Sequence, residues 1–117
     1  MDKIILIEKK DIPALENNFI GINKMEIKNK DNLLIGVLFN GGCKEHFFKL
    51  FGFFEENEIL NLILEHDSNG DQCKMVERKN LLFDLSPIRI EYLVNETIQH
   101  KFLILKLKNR EVKYYLV

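Results

Sequence analysis

The chain has no excess of either charge: 17 lysines and arginines stand against 18 aspartates and glutamates, a formal net of −1. Lysines are scattered near acidic residues, so the one-sided basic stripe that neutralises phosphates is missing and nucleic acid is excluded as the expected partner. The short series Lys106, Lys108, Arg110 reads as the wet face of a strand. Long apolar runs are lacking too, and nothing approaches the roughly 20 residues of a membrane-spanning helix. At the amino terminus only Ile4-Ile5-Leu6-Ile7 precedes Glu8, short of the apolar core of about 7–15 residues in a signal peptide. An exported chain whose signal had been removed would look the same. These residues therefore leave two compartments open: the cell envelope or periplasm in that case, the cytoplasm otherwise.

Repeats, low-complexity tracts and linkers are also absent. So are a phosphate-cradling glycine loop, a zinc-protease His pair and a Gly-x-Ser-x-Gly elbow, which removes the common catalytic motifs. What is present is 117 residues at 46% hydrophobic and 30% charged, the composition of a single folded domain spanning 1–117. Such a chain buries about two-thirds of its unfolded surface and needs no staple merely to fold.

Short strands separated by turn signals dominate the pattern. Ile4–Ile7 makes a short strand, and residues 20–28 and 33–39 form an antiparallel hairpin about Lys30-Asp31-Asn32. Gly41-Gly42 then breaks the chain. Five phenylalanines lie within residues 47–54, which predicts a central strand buried on both sides. His46, Phe48 and Leu50 share one of its faces. A strand over 59–65 puts Leu60, Leu62 and Leu64 on the face of His66. Asn69-Gly70 then favours a type I′ hairpin, pairing His66 with Cys73 and Leu64 with Met75. Arg78-Lys79-Asn80 ends that hairpin, and residues 81–85 give another strand. Ser86 caps and Pro87 opens a helix over 86–98, with Ile90, Leu93, Val94 and Ile98 at helical spacing. Two more strands, 102–108 and 112–117, complete a mainly β fold of about eight strands and one short helix. Turn spacing of that kind predicts an antiparallel β-sandwich or open barrel.

The chemistry concentrates in two strings, Gly41-Gly42-Cys43-x-x-His46 and His66-Asp67-x-Asn69-Gly70-Asp71-x-Cys73. Cys43 and Cys73 are the only cysteines, and three fates are open to them. A disulfide fits an even, minimal count and would be worth about 3–4 kcal/mol for a loop of roughly 30 residues. Free buried thiols are ordinary. A zinc site would draw on Cys43, His46, His66 and Cys73, two thiolates and two imidazoles, although His66-x6-Cys73 is not a standard second half. Cysteine usage puts the disulfide first and gives no cofactor, with zinc as the alternative. Asp67, Asn69 and Asp71 resemble a calcium loop, but glycine stands fourth and Arg78 twelfth, so these residues and Gly70 read as turn formers. Cys43 with His46 or His66 supplies nucleophile and base types without a nucleophile spacing. Non-catalytic activity is the expectation, and His100 reads as solvated.

These two strings, with Phe83-Asp84-Leu85-Ser86-Pro87, resemble a group of uncharacterised small bacterial proteins, many of them exported or lipoprotein-like. They carry similar Gly-Gly-Cys-x-x-His, His-x-x-Asn-Gly-Asp-x-Cys and Phe-Asp-Leu-[Ser/Thr]-Pro segments, and the match spans roughly residues 36–90. The resemblance implies an envelope setting and with it a Cys43–Cys73 disulfide. It brings no activity, substrate or cofactor. Two functions follow as expectations: a non-catalytic envelope domain that binds or supports, or a cytoplasmic zinc-binding or thiol-dependent protein.

Overall fold

The computed structural model describes residues 1–13, 19–56, 58–94 and 101–116. In chain order these form β1 (Asp2–Lys3), β2 (Ile5–Leu6), a 3-10 turn (Lys9–Asp11), β3 (Phe19–Lys28), β4 (Asn32–Gly41), β5 (Phe47–Glu56), β6 (Ile59–Asp67), β7 (Met75–Asp84), α1 (Ser86–Val94), β8 (Phe102–Leu107) and β9 (Arg110–Tyr115). One sheet runs β1-β7-β4-β3 and the other β2-β5-β6-β8-β9. The sheets do not close on each other, so of the two expected architectures the sandwich is the one formed.

Period-two alternation builds the core. Leu33, Ile35 and Val37 of β4 are fully buried, as are Leu50, Leu60, Leu103 and Leu105 from the second sheet. Each such side chain stabilises the fold by about 1.5–3 kcal/mol relative to exposure. The β3–β4 hairpin forms as expected, with positive φ at Asn29 and Lys30 closing it.

Several expectations are corrected. The first strand is two: Lys3 pairs with Asp84 in one sheet and Ile5 with Phe51 in the other, while Ile4 between them is buried. Residues 78–80 do not end a hairpin but lie inside β7, paired to β4. Strand β5 is buried on both faces only toward its far end: Phe48 and Leu50 point inward, while on the opposite face Phe47 is 48% exposed and Phe53 is buried. It pairs with β6 along its length and with β2 only at Phe51–Gly52, so it is not a central strand over residues 47–50. In α1 it is Ile88 that is buried, whereas Ile90, Leu93 and Val94 are exposed. Ser86 is the first helical residue, and its amide donates to Asp84 Oδ1 at 2.8 Å, so Asp84 does the capping. The helix is described to Val94; Ile98 and His100 lie outside the described residues.

The Asn69-Gly70 hairpin is corrected in an informative way. Both residues have positive φ, +56° and +70°, and Asp71 N donates to Ser68 O at 3.0 Å, so the local turn is the expected one. The strands beyond it do not pair. Residues 71–74 cross between the sheets, and β7 joins β4 instead of β6. The cross-strand neighbour of His66 is therefore Phe48, not Cys73.

One polar clamp ties distant elements together. Arg89 of α1 donates through Nε (3.0 Å) and Nη2 (2.8 Å) to Asp31 Oδ1 in the β3–β4 turn. Tyr114 of β9 donates its hydroxyl to the same oxygen at 2.7 Å, and Arg89 also donates to the carbonyls of Tyr115 and Leu116. Burial pushes the Asp31 carboxyl up, but hydrogen bonds from Tyr114 and Arg89 outweigh it and hold the group below its ordinary value.

Candidate functional site

Strand β4 delivers the first motif and the end of β6 delivers the second. At Gly41 a Cβ atom would lie 2.7 Å from His46 Nε2 and 3.2 Å from Asp71 Oδ2, so only glycine lets the backbone approach so closely. Gly42 follows with φ +109° and turns the chain toward Cys43. After three residues His46 enters the interior just before β5 and is 4% exposed. On the other side His66, 3% exposed, comes from the inward face of β6. Asp67 then accepts the amide of Asn69 at 2.8 Å, which fixes the Asn69-Gly70 turn and swings Asp71 inward.

Asp71 is the hub. Its Oδ2 accepts the amides of Cys43 (3.2 Å) and Lys44 (3.1 Å) and the ring Nε2–H of His46 (2.8 Å), while Oδ1 accepts the amide of Cys73 at 2.9 Å. The carboxylate therefore sews the two motifs together from both sides. Its side chain is fully covered, as is that of His46. The hydrogen bond from His46, then that from Cys73, hold the Asp71 carboxyl well below the usual range against the opposing effect of burial. Over the same spot the sulfurs of Cys43 and Cys73 lie within disulfide bonding distance, with their Cα atoms 5.9 Å apart.

Behind Asp71 the two imidazoles meet, His46 Nδ1 to His66 Nε2 at 2.7 Å. A carboxylate only accepts, so the proton between His46 and Asp71 sits on His46 Nε2. Between His46 Nδ1 and His66 Nε2 one ring donates and the other accepts, according to their tautomers. The relay runs His66 to His46 to Asp71. Aromatic rings enclose it: Phe48 stacks on His66 at 4.5 Å and 3°, and Phe39 lies 4.7 Å from His46 and 5.2 Å from His66. Burial first, then the neighbouring His46, lower the pKa of His66, with Asp67 opposing. A second proton in this pair is thus disfavoured.

Beside the relay, a cleft of about 490 Å³ opens between β5 and β7, lined by His46, Phe48, Lys79, Leu81, Phe83 and Asp2 among others. Lys79 Nζ lies 5.9 Å from the Phe48 ring centre. Pairing with β1 at Phe83–Asp84 and with β2 at Phe51–Gly52 closes the edges of these strands at one end of the cleft.

The structure thus gathers Cys43, His46, His66 and Cys73 into one corner, but not as four converging donors. The compact donor group is Cys43, Asp71 and Cys73, whose ligand atoms all lie within 4.8 Å of one another. His66 meets that group through His46. Gly41 sits at a close approach, Gly42, Asn69 and Gly70 have positive φ, and Asp67 accepts the Asn69 amide. Asp71 was expected as a turn former, or as a group orienting a cysteine–histidine pair, and its hub role carries no separate sequence signal, since aspartate suits a turn whether its side chain points out or in. The Asp31–Arg89–Tyr114 clamp had no signal either, its members being 58 and 83 residues apart.

No family model matches the chain, and no curated protein does. Solved structures do. A lipoprotein candidate from Bacteroides fragilis superposes with a TM-score of 0.60 at 12% identity, over 98% of this chain and 64% of that one. A NigD-like immunity protein from Bacteroides caccae superposes at 0.57 and 16% identity, over 96% of this chain and 58% of that one. The chain therefore spans about three-fifths of the length of these two proteins. At such identities the likeness is one of fold: this is a mainly β sandwich of the architecture seen in that lipoprotein candidate and that immunity protein.

Proposed function

We propose that this chain is a non-catalytic β domain of the bacterial cell envelope, acting by binding or structural support, with Cys43 and Cys73 oxidised to a disulfide. The observation that carries this reading is the corner itself: two cysteines at bonding distance, closed over a covered carboxylate that holds both motifs. Disulfides persist in oxidising compartments, which include the periplasm and the cell surface. His46 spends both ring nitrogens on Asp71 and His66, and both histidines are buried, so neither is placed as a base for an external substrate. The cleft between β5 and β7, beside the corner, is a concave surface on which binding would centre.

The test is to alkylate accessible thiols in intact cells producing the natural gene product, then lyse, fractionate and count modified cysteines. Recovery in the envelope or periplasmic fraction with both cysteines unmodified supports the reading. Recovery in the cytosol with both modified overturns it.

A further inference from the structure

The corner holds donor chemistry that reduction of the disulfide would release. Sulfur atoms of Cys43 and Cys73 and a carboxylate oxygen of Asp71 lie within 4.8 Å of one another. In a tetrahedral zinc site with Zn–S near 2.3 Å and Zn–O near 2.1 Å, donor atoms lie roughly 3.5–4 Å apart. The bonded sulfurs lie closer than that, so on reduction they swing apart while Asp71 stays held by its amides, and the group can then close on an ion. Cys43 is exposed and Cys73 partly exposed, so an ion reaches the group from the side of the cysteines, with the covered Asp71 carboxylate behind them.

Orientation is already built in. His46 Nε2–H donates to Asp71 Oδ2 at 2.8 Å, and His66 sits 2.7 Å behind His46. Ligating carboxylates are commonly held by an outer hydrogen-bonding layer of this kind. The amide of Cys73 on Asp71 Oδ1 fixes two of the three donors relative to each other.

We propose that the dithiol form of this chain binds one divalent zinc-class ion through Cys43 Sγ, Cys73 Sγ and the Asp71 carboxylate, with water in the fourth position. His46 and His66 are positioning residues in this site, not ligands. The balance is simple. A dithiol or phosphine reductant gives two electrons to the Cys43–Cys73 bond and is itself oxidised, two thiols form, and both protons leave to solvent as the ion binds. Bond and ion compete for the same two sulfurs, so the oxidised protein does not bind. The proposal does not rest on the envelope reading, which concerns the redox state in the cell.

The experiment titrates zinc into phosphine-reduced, oxygen-free protein against a chromophoric chelator, with cobalt as a spectroscopic substitute. Expected are about one equivalent bound by reduced protein, under about 0.2 by oxidised protein, and a thiolate-to-cobalt charge-transfer band. The variant Cys43→Ser, at an exposed position, is expected to lose that band's full intensity and the tight binding. The variant His46→Ala is expected to keep the stoichiometry and weaken binding about 10–100-fold. Absence of the band in reduced wild-type protein, or equal binding by wild type and Cys43→Ser/Cys73→Ser, overturns the proposal. Because the band is read on wild-type protein, a variant that failed to fold would not blunt the test.

Discussion

Replacing both cysteines by serine separates the covalent link from everything else at the corner. The Asp71 carboxylate is held there by backbone amides of residues 43, 44 and 73 and by His46, all of which survive in Cys43→Ser/Cys73→Ser. Exposed Cys43 leaves no cavity when changed to serine. What is lost is the restriction that a bond between positions 30 residues apart places on the unfolded chain. In the chain-entropy treatment a loop of that length costs the unfolded state about 12 cal/mol/K, or about 3.6 kcal/mol at 25 °C. For a domain of this size, that lowers the melting temperature by roughly 10–15 °C. Urea unfolding at neutral pH reads the difference directly, comparing wild type without reductant, wild type with reductant, and the double variant. The last two are expected to coincide and to fall about 3.6 kcal/mol below the first. A gap under about 1 kcal/mol, or an unreduced wild type that already matches the variant, would refute the reasoning.

Further outcomes follow from the same contacts. His66→Ala removes a buried ring stacked on Phe48 and hydrogen-bonded to His46, and a loss of about 2–4 kcal/mol in unfolding free energy is expected; a loss under about 1 kcal/mol would mean the relay is not formed in solution. Gly41→Ala drives a methyl group to 2.7 Å from His46 Nε2, with an expected cost of about 1–3 kcal/mol, and wild-type stability in that variant would contradict the close approach. The folded-state pKa of Asp31 is lowered from 3.8, so its contribution is present above that value and is lost as pH falls through it toward the lower folded value. Asp31→Asn is therefore expected to cost about 1–2 kcal/mol at pH 7, with the gap to wild type closing below about pH 4. A pH-independent gap would show that the Arg89 and Tyr114 contacts do not discriminate the charged form.

Much of the fold was legible because alternation at period two reports which face of a strand is dry. Leu60, Leu62 and Leu64, and likewise Leu103, Leu105 and Leu107, lie buried as their spacing requires. Sheet membership was not legible. Asn69-Gly70 makes the turn its chemistry favours, yet the following strand is claimed by β4, because burial of Leu81 and Phe83 in the opposite sheet is a long-range demand. A local turn signal fixes φ and ψ for two residues and says nothing about what lies across the core. The same limit explains the phenylalanine-rich β5, where density of aromatics alone suggested two dry faces along its whole length although Phe47 is wet and only Phe53 of that face is buried. At the corner, residue types and their two strings were visible. The inward swing of Asp71, which depends on amides 27 and 28 residues away, was not.

The most direct measurement is a thiol count on purified protein, denatured without reductant and then again after reduction. If Cys43 and Cys73 are bonded across the Asp71 corner, no thiol reacts before reduction and both react after it. Two reactive thiols per chain before any reductant is added would contradict the disulfide-closed corner.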